Sequence, residues 1–254
     1  MGAFYSFAAR LFELGFVVTG IERHVDGVEN IPTEGPAILA SNHVGYLDFC
    51  FVMLGPPRPR REVAFLAKSE LFERRVVGSA LHALRQIPVD VHGSPTDAMR
   101  AAAERLEAGG IVGLHPEGTI NPAFLPMRGR SGAVRLARMT GAPIVPAAVW
   151  GSQRLLTKWR PAAWPERGIP VRVRYGAPYR PTEGTPSEAT RDLMARIGTL
   201  VDELIAEDGA PAGAWWVPAE RGGGAPREEE VRARLEVQRA ERRARRSGGD
   251  DPPS

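Results

Sequence analysis

A histidine and an aspartate stand five residues apart in Asn42-His43-Val44-Gly45-Tyr46-Leu47-Asp48. The aspartate lies about one helical turn beyond the histidine. A carboxylate there accepts the proton of one imidazole nitrogen, fixes the tautomer, and leaves the other nitrogen free as a base. No serine sits in a Gly-x-Ser-x-Gly elbow, so a Ser-His-Asp hydrolase is poorly supported. A base without a nucleophile of the protein's own suits direct attack by a substrate hydroxyl. Positioned general bases are worth typically about 10²- to 10⁴-fold, roughly 3 to 5 kcal/mol of barrier. A His-to-Asp spacing by itself arises by chance in many chains. His24, His82 and His92 have no such partner and read as surface or packed residues.

The second group with chemical potential is His115-Pro116-Glu117-Gly118-Thr119. Gly118 lets a backbone come close to a ligand. Exposed amides of such a turn bind a phosphate or an oxyanion, and Glu117 is placed to hydrogen-bond a substrate hydroxyl. Pro-Glu-Gly alone is an ordinary strand-ending turn. Its weight comes from position: both groups follow short apolar runs, Ala37-Ile38-Leu39-Ala40 and Gly110-Ile111-Val112-Gly113-Leu114. In open α/β sheets, ligands bind at the carboxyl ends of the strands.

The elements that must hold these groups alternate along the chain. Apolar runs predict strands at 37–41, 63–67, 87–91, 111–114, 144–149 and 171–175. Helical periodicity predicts helices at 1–24, 48–54, 70–84 with a possible break at Gly78, 95–108, 132–140 and 187–205. Residues 25–36 read as a connection, with turn chemistry at Asp26-Gly27 and Gly35-Pro36. Strands alternating with helices argue for an α/β layered domain. The organisation predicted is an N-terminal amphipathic helix over 1–24, a domain over 25–206, and a charged, partly disordered C-terminal extension over 207–254.

Composition narrows the class. A hydrophobic fraction of 43% supports a real core, and a net charge of +3 with no zinc-finger spacing gives no reason to expect a nucleic-acid partner. The single cysteine, Cys50, excludes a disulfide framework and reads as a small buried hydrophobe. No two of the five histidines lie at i, i+4 with a third ligand, so no metal is expected. The N-terminus lacks a basic leader before a cleavable apolar stretch, so no signal peptide is read. Phe4, Phe7, Leu11, Leu14 and Val18 repeat at three- and four-residue steps on one helical face. Arg10 and Glu13 interrupt the segment, and a spanning helix wants about 20 apolar residues. The face either packs on its own domain or lies in a membrane interface. Residues 227–246 carry eight Arg and five Glu and read as a solvated helix or a disordered extension.

Together the motifs Asn-His-x4-Asp and Pro-Glu-Gly-Thr resemble those of the 1-acyl-sn-glycerol-3-phosphate acyltransferases, glycerolipid enzymes that make phosphatidic acid from lysophosphatidic acid. The resemblance covers roughly residues 25–180. Ile87-Pro88-Val89-Asp90-Val91 stands where the family has a Phe-Ile-Asp-Arg-like block, and Ile144-Val145-Pro146-Ala147 resembles a later strand block. Lys68-Ser69-Glu70-Leu71-Phe72 and Trp150-Gly151-Ser152-Gln153-Arg154 look like an actinobacterial branch of the family. The resemblance implies a mostly parallel central sheet flanked by helices. It implies His43 and Asp48 as catalytic residues and Asn42, Glu117, Gly118 and Thr119 as substrate contacts. It further implies a lysoglycerolipid acceptor and an acyl-CoA or acyl-carrier-protein donor, with no cofactor beyond that thioester. The implied location is the cytoplasmic face of the cell membrane, peripheral or monotopic.

Two departures matter. The family's phosphate-binding arginines are replaced by Val91 and Ile120. Arginine is the natural bidentate partner of phosphate, so Lys68, Arg128 and Arg130 are expected to face the crevice instead. The rival readings are an acyltransferase for another lysolipid or glycolipid, and a membrane-surface lipid-binding protein without turnover. Intact His43 and Asp48 argue against the latter.

Overall fold

The computed structural model describes residues 3–55, 61–90, 95–161 and 167–247. Its centre is β2 (Ala37–Ser41), buried at every position. β2 pairs in parallel with β5 (Ile111–Leu114) on one side and with β6 (Ile144–Trp150) on the other. Apart from Ser41 at the end of β2, all three are apolar runs, as strands covered on both faces must be. β3 (Val63–Lys68) extends the sheet beyond β5, and β4 (Ile87–Val89) follows it, both in parallel. Beyond β6 lies β7 (Pro170–Tyr175), which is antiparallel to it. β1 (Glu22–Asp26) closes that edge in parallel with β7, giving the order β1-β7-β6-β2-β5-β3-β4.

Helices cover both faces. On one side α5 (Pro95–Glu107), α6 (Gly132–Thr140) and α7 (Pro186–Asp208) bury Leu106, Leu136, Leu193, Ile197 and Val201 against the sheet. On the other, α1 (Ala3–Thr19) and α2 (Asp48–Met53) bury Tyr5, Phe16, Phe51 and Met53. α7 begins with a capping box between Thr185 and Glu188 and has Pro186 in its first turn, which satisfies two amides that a helix start leaves open.

Several expectations need correction. Residues 22–26 form the edge strand β1, not the end of a helix or a connection. Glu22, His24 and Asp26 point to solvent while Arg23 and Val25 are half-buried, so the strand has no apolar run to announce it and forms because β7 offers it a ladder. The predicted helix over 70–84 is two: α3 (Ser69–Phe72) and α4 (Arg75–Ala83). Gly78 does not break the second. It admits the backbone of the first, since a Cβ there would lie 2.0 Å from the Phe72 carbonyl oxygen.

The C-terminal segment also differs from a loose extension. Trp216, Val217 and Ala225 are buried in the main core beside α7. α8 (Glu228–Ser247) rests through Val231 and Leu235 on Ala123, with Met127 and Trp159 alongside. Two apolar side chains in a charge-rich stretch sufficed to dock it.

Candidate active site

Because β2 has parallel neighbours on both sides, the loops leaving β2, β5 and β6 emerge along one edge of the sheet. The first carries Asn42 and His43, the second His115 to Thr119, and the third Gly151 to Arg154. The two sequence motifs thus become adjacent although some seventy residues separate them.

His43 Nδ1 lies 2.9 Å from Asp48 Oδ2. Asp48 is fully buried at the first residue of α2, and the amides of Val44 and Gly45 donate to the same oxygen at 2.7 and 2.8 Å. Ser152 Oγ donates to Asp48 Oδ1. A carboxylate surrounded by donors accepts from Nδ1–H, so Nε2 carries the lone pair. The His43 side chain is 21% exposed while its partner is sealed, which leaves the imidazole partly open with its orientation set from behind. Thr157 Oγ1 donates to the Val44 carbonyl and holds the same loop.

Asn42 and Glu117 take positions unlike those expected. Asn42 is fully buried; its amide group exchanges two hydrogen bonds with the Val149 backbone, at 2.8 and 3.0 Å. It ties the end of β2 to β6 and has no surface for substrate. Glu117 is 3% exposed. Its Oε1 accepts from the His43 amide at 2.9 Å and its Oε2 from the Met127 amide at 3.2 Å. Burial pushes its carboxyl up to about 8, against the pull of those two amides. Glu117 therefore clasps the base-bearing loop to the loop after the turn, with neither oxygen turned to a substrate hydroxyl.

Gly118 has φ 67, and its amide is spent on the His115 carbonyl at 3.0 Å. That amide is not available to an anion. Thr119 Oγ1 accepts from Lys158 Nζ at 3.3 Å. The three basic candidates are exposed. Arg130 covers Gly118, its guanidinium about 3.1 Å from where a Cβ would stand. Lys68 ends β3, one strand beyond β5 along the same edge. Arg128 precedes Gly129, which abuts Met194 of α7. Ile120 is buried, so no charge could stand there without rebuilding the turn. Val91 lies outside the described residues.

Two residues gain roles that their sequence context did not announce. The His115 ring stacks on His43 at a centroid distance of 4.0 Å and an interplanar angle of 2°. Its Nδ1 meets Ser41 Oγ at 3.0 Å, and its buried Nε2 has no partner. Burial, followed by the neighbouring His43, lowers its pKa to about 3, so it serves as a neutral flat wall that sets the plane of the base. Ser152 follows β6 as His43 follows β2, and that shared strand-end position was its available signal. Both serines are thereby engaged away from His43 Nε2.

A sequence model of the family described as Acyltransferase matches residues 22–150. A Bacillus subtilis 1-acyl-sn-glycerol-3-phosphate acyltransferase is 33% identical over 123 residues, covering 48% of this chain and 60% of that protein. An uncharacterized Mycobacterium tuberculosis protein is 34% identical over 223 residues, covering 71% of this chain and 60% of its own. The chain thus spans about 60% of the length of these relatives. In fold, it resembles the crystal structure of the Thermotoga maritima 1-acyl-sn-glycerophosphate acyltransferase PlsC, with a TM-score of 0.68, 24% identity and 80% of each chain covered.

Proposed function

The chain belongs to the acyltransferase family, and we propose that it transfers an acyl group from a thioester donor to the free hydroxyl of a lysoglycerolipid, 1-acylglycerol 3-phosphate in the first instance. The observation that carries this reading is the His43–Asp48 pair, with Nδ1 held at 2.9 Å and no serine of the site on Nε2. His43 Nε2 takes the proton of the acceptor hydroxyl as its oxygen attacks the thioester carbonyl. The tetrahedral adduct collapses, the C–S bond breaks, and the imidazolium returns the proton to the leaving thiolate. Asp48 keeps the tautomer through both steps.

The acceptor comes from the membrane interface by way of α1. Phe4, Phe7, Leu11, Leu14, Val17 and Val18 are exposed on it, while Tyr5, Ala9 and Phe16 anchor it to the core. Among the described residues no helix is long and apolar enough to cross a membrane. Lys68 and Arg130 supply charge for the acceptor's phosphate, with Arg128 beside them.

Purified protein given a labelled acyl thioester and a panel of lysolipids should form a diacyl product. His43→Ala should lower turnover by about 10²-fold or more with an unchanged melting curve. Transfer to none of the acceptors, or normal transfer by folded His43→Ala, would overturn the reading. Activity confined to acceptors without a phosphate monoester would assign the enzyme to another lysolipid or glycolipid.

A further inference from the structure

A second concavity adjoins the site and has no part in the chemistry above. It has a volume of about 260 Å³ and lies between the loop after the Pro-Glu-Gly-Thr turn, the β6–β7 connection and the C-terminal segment. Phe124, Trp159 and Trp215 give it aromatic surfaces; Lys158, Arg160 and Arg234 give it charge. No acidic residue lines it among the described residues.

The cations are arranged against the rings. Arg160 lies 3.8 Å over Trp215, Arg234 4.2 Å over Trp159, and Lys158 5.5 Å over Trp159. Trp159 Nε1 is buried without a hydrogen-bond partner. Phe124 and Trp159 have φ of 61 and 64; among described non-glycine residues only Arg85 shares a positive φ. Bulky residues resist that region, and such strain gathers at ligand-holding places. Two of the three instances fall on this one wall.

The cavity is joined to the base. Pro122 lines it, and Asn121 donates its amide to the His43 carbonyl at 2.9 Å. Lys158 also reaches Thr119. Trp159, Trp215 and Arg234 all fall outside the 22–150 span that matches the family.

Flat aromatic faces stack on a nucleobase. Guanidinium forks bind phosphate oxygens. A thioester carried on a protein presents no base. Resting on the acyl-transfer reading, we propose that this cavity binds the nucleotide end of a coenzyme A thioester, base against the aromatic lining and phosphates on Arg160 and Arg234, so that the donor is acyl-CoA rather than acyl-carrier protein.

Adenosine 3′,5′-bisphosphate, titrated into the full chain, should quench tryptophan fluorescence saturably. The double substitution Arg160→Gln with Arg234→Gln, at two exposed positions, should weaken that binding roughly tenfold or more at an unchanged melting temperature. In turnover, the wild-type ratio of kcat/KM for acyl-CoA over acyl-pantetheine, which lacks the nucleotide, should fall by a similar factor in the variant. An unmoved ratio, absence of nucleotide binding, or equal displacement by glycerol 3-phosphate would each overturn the assignment. Nucleotide binding without acylation of any lysolipid would leave this assignment standing and remove the proposed function. Acylation with equal use of both donors would do the reverse.

Discussion

The orientation of His43 is set by the groups behind it. Ser152 donates to Asp48 Oδ1, opposite the oxygen that faces the imidazole. Removing one hydrogen bond to a charged group costs about 1.5 to 3 kcal/mol. Ser152→Ala should therefore lower kcat by roughly 10- to 100-fold with little effect on KM, a split that steady-state kinetics with His43 intact would read. Asp48→Asn should do worse, because a neutral amide cannot stabilise the imidazolium that forms as His43 takes the proton. The two buried titratable neighbours act on stability with opposite signs. His115, at about 3 when folded, stays neutral while the unfolded chain gains a proton below its ordinary 6.5. Its contribution is complete above pH 6.5 and is lost as pH falls toward 3. Glu117, at about 8 when folded, holds a proton that the unfolded chain releases near 4.5, so its contribution is lost as pH rises from 4.5 to 8. The slopes oppose each other where these windows overlap. Thermal melts should therefore show the effect of His115→Phe most cleanly below pH 4.5 and that of Glu117→Gln above pH 6.5, each variant flattening its own limb. Unchanged slopes in both would refute the buried placement of these groups.

The elements show which patterns carried a meaning and which did not. The apolar repeat of α1 fits two roles, and the fold divides them by face: Tyr5 and Phe16 pack inward, Phe16 stacking on Phe51 at 4.6 Å, while Phe4, Leu11 and Val18 stay outside. Leu11→Glu with Val18→Glu should abolish flotation with lipid vesicles and leave the melting temperature within a degree or two, as solvent-side changes usually do. Phe16→Ala should instead destabilise by about 3 to 5 kcal/mol. Equal vesicle binding by the first variant would remove α1 as the route to lipid. Gly78 illustrates the converse. Read along the chain it is a helix breaker, yet a methyl group there would meet the Phe72 carbonyl at 2.0 Å. Gly78→Ala should therefore destabilise, measured by denaturant unfolding, although alanine gains up to about 1 kcal/mol over glycine in an open helix.

At the scale of the whole molecule, the C-terminal segment belongs to the core. Gln153 Nε2 donates to the Trp216 carbonyl at 3.2 Å, and Trp150 Nε1 to Asp208 at 3.1 Å. Truncation after Asp208 should remove Trp216 and Val217 from the core and leave Gln153 Nε2 without its acceptor, giving a broad, low-temperature melt and loss of activity. A sharp wild-type melt would mean that the segment only decorates the fold. Long apolar runs and helix signals made β2, β3, β5, β6 and α6 legible from the residues, because burial on both faces demands continuous hydrophobicity and a strand end demands a turn. That logic also placed His43, Asp48 and the Pro-Glu-Gly-Thr turn at one kind of location. β1 was illegible because an edge strand gains its ladder from a neighbour and needs no apolar run of its own. Which polar side chains serve the frame was decided only in three dimensions. Asn42 and Glu117 spend their polar atoms on backbone groups of distant loops, while His115 and Ser152 become neighbours of the His43–Asp48 pair. Sequence spacing records the order of strands along the chain, but parallel pairing of β5-β2-β6 sets the distances at their ends. A buried polar group's role is fixed by which partner the tertiary packing brings within hydrogen-bond reach.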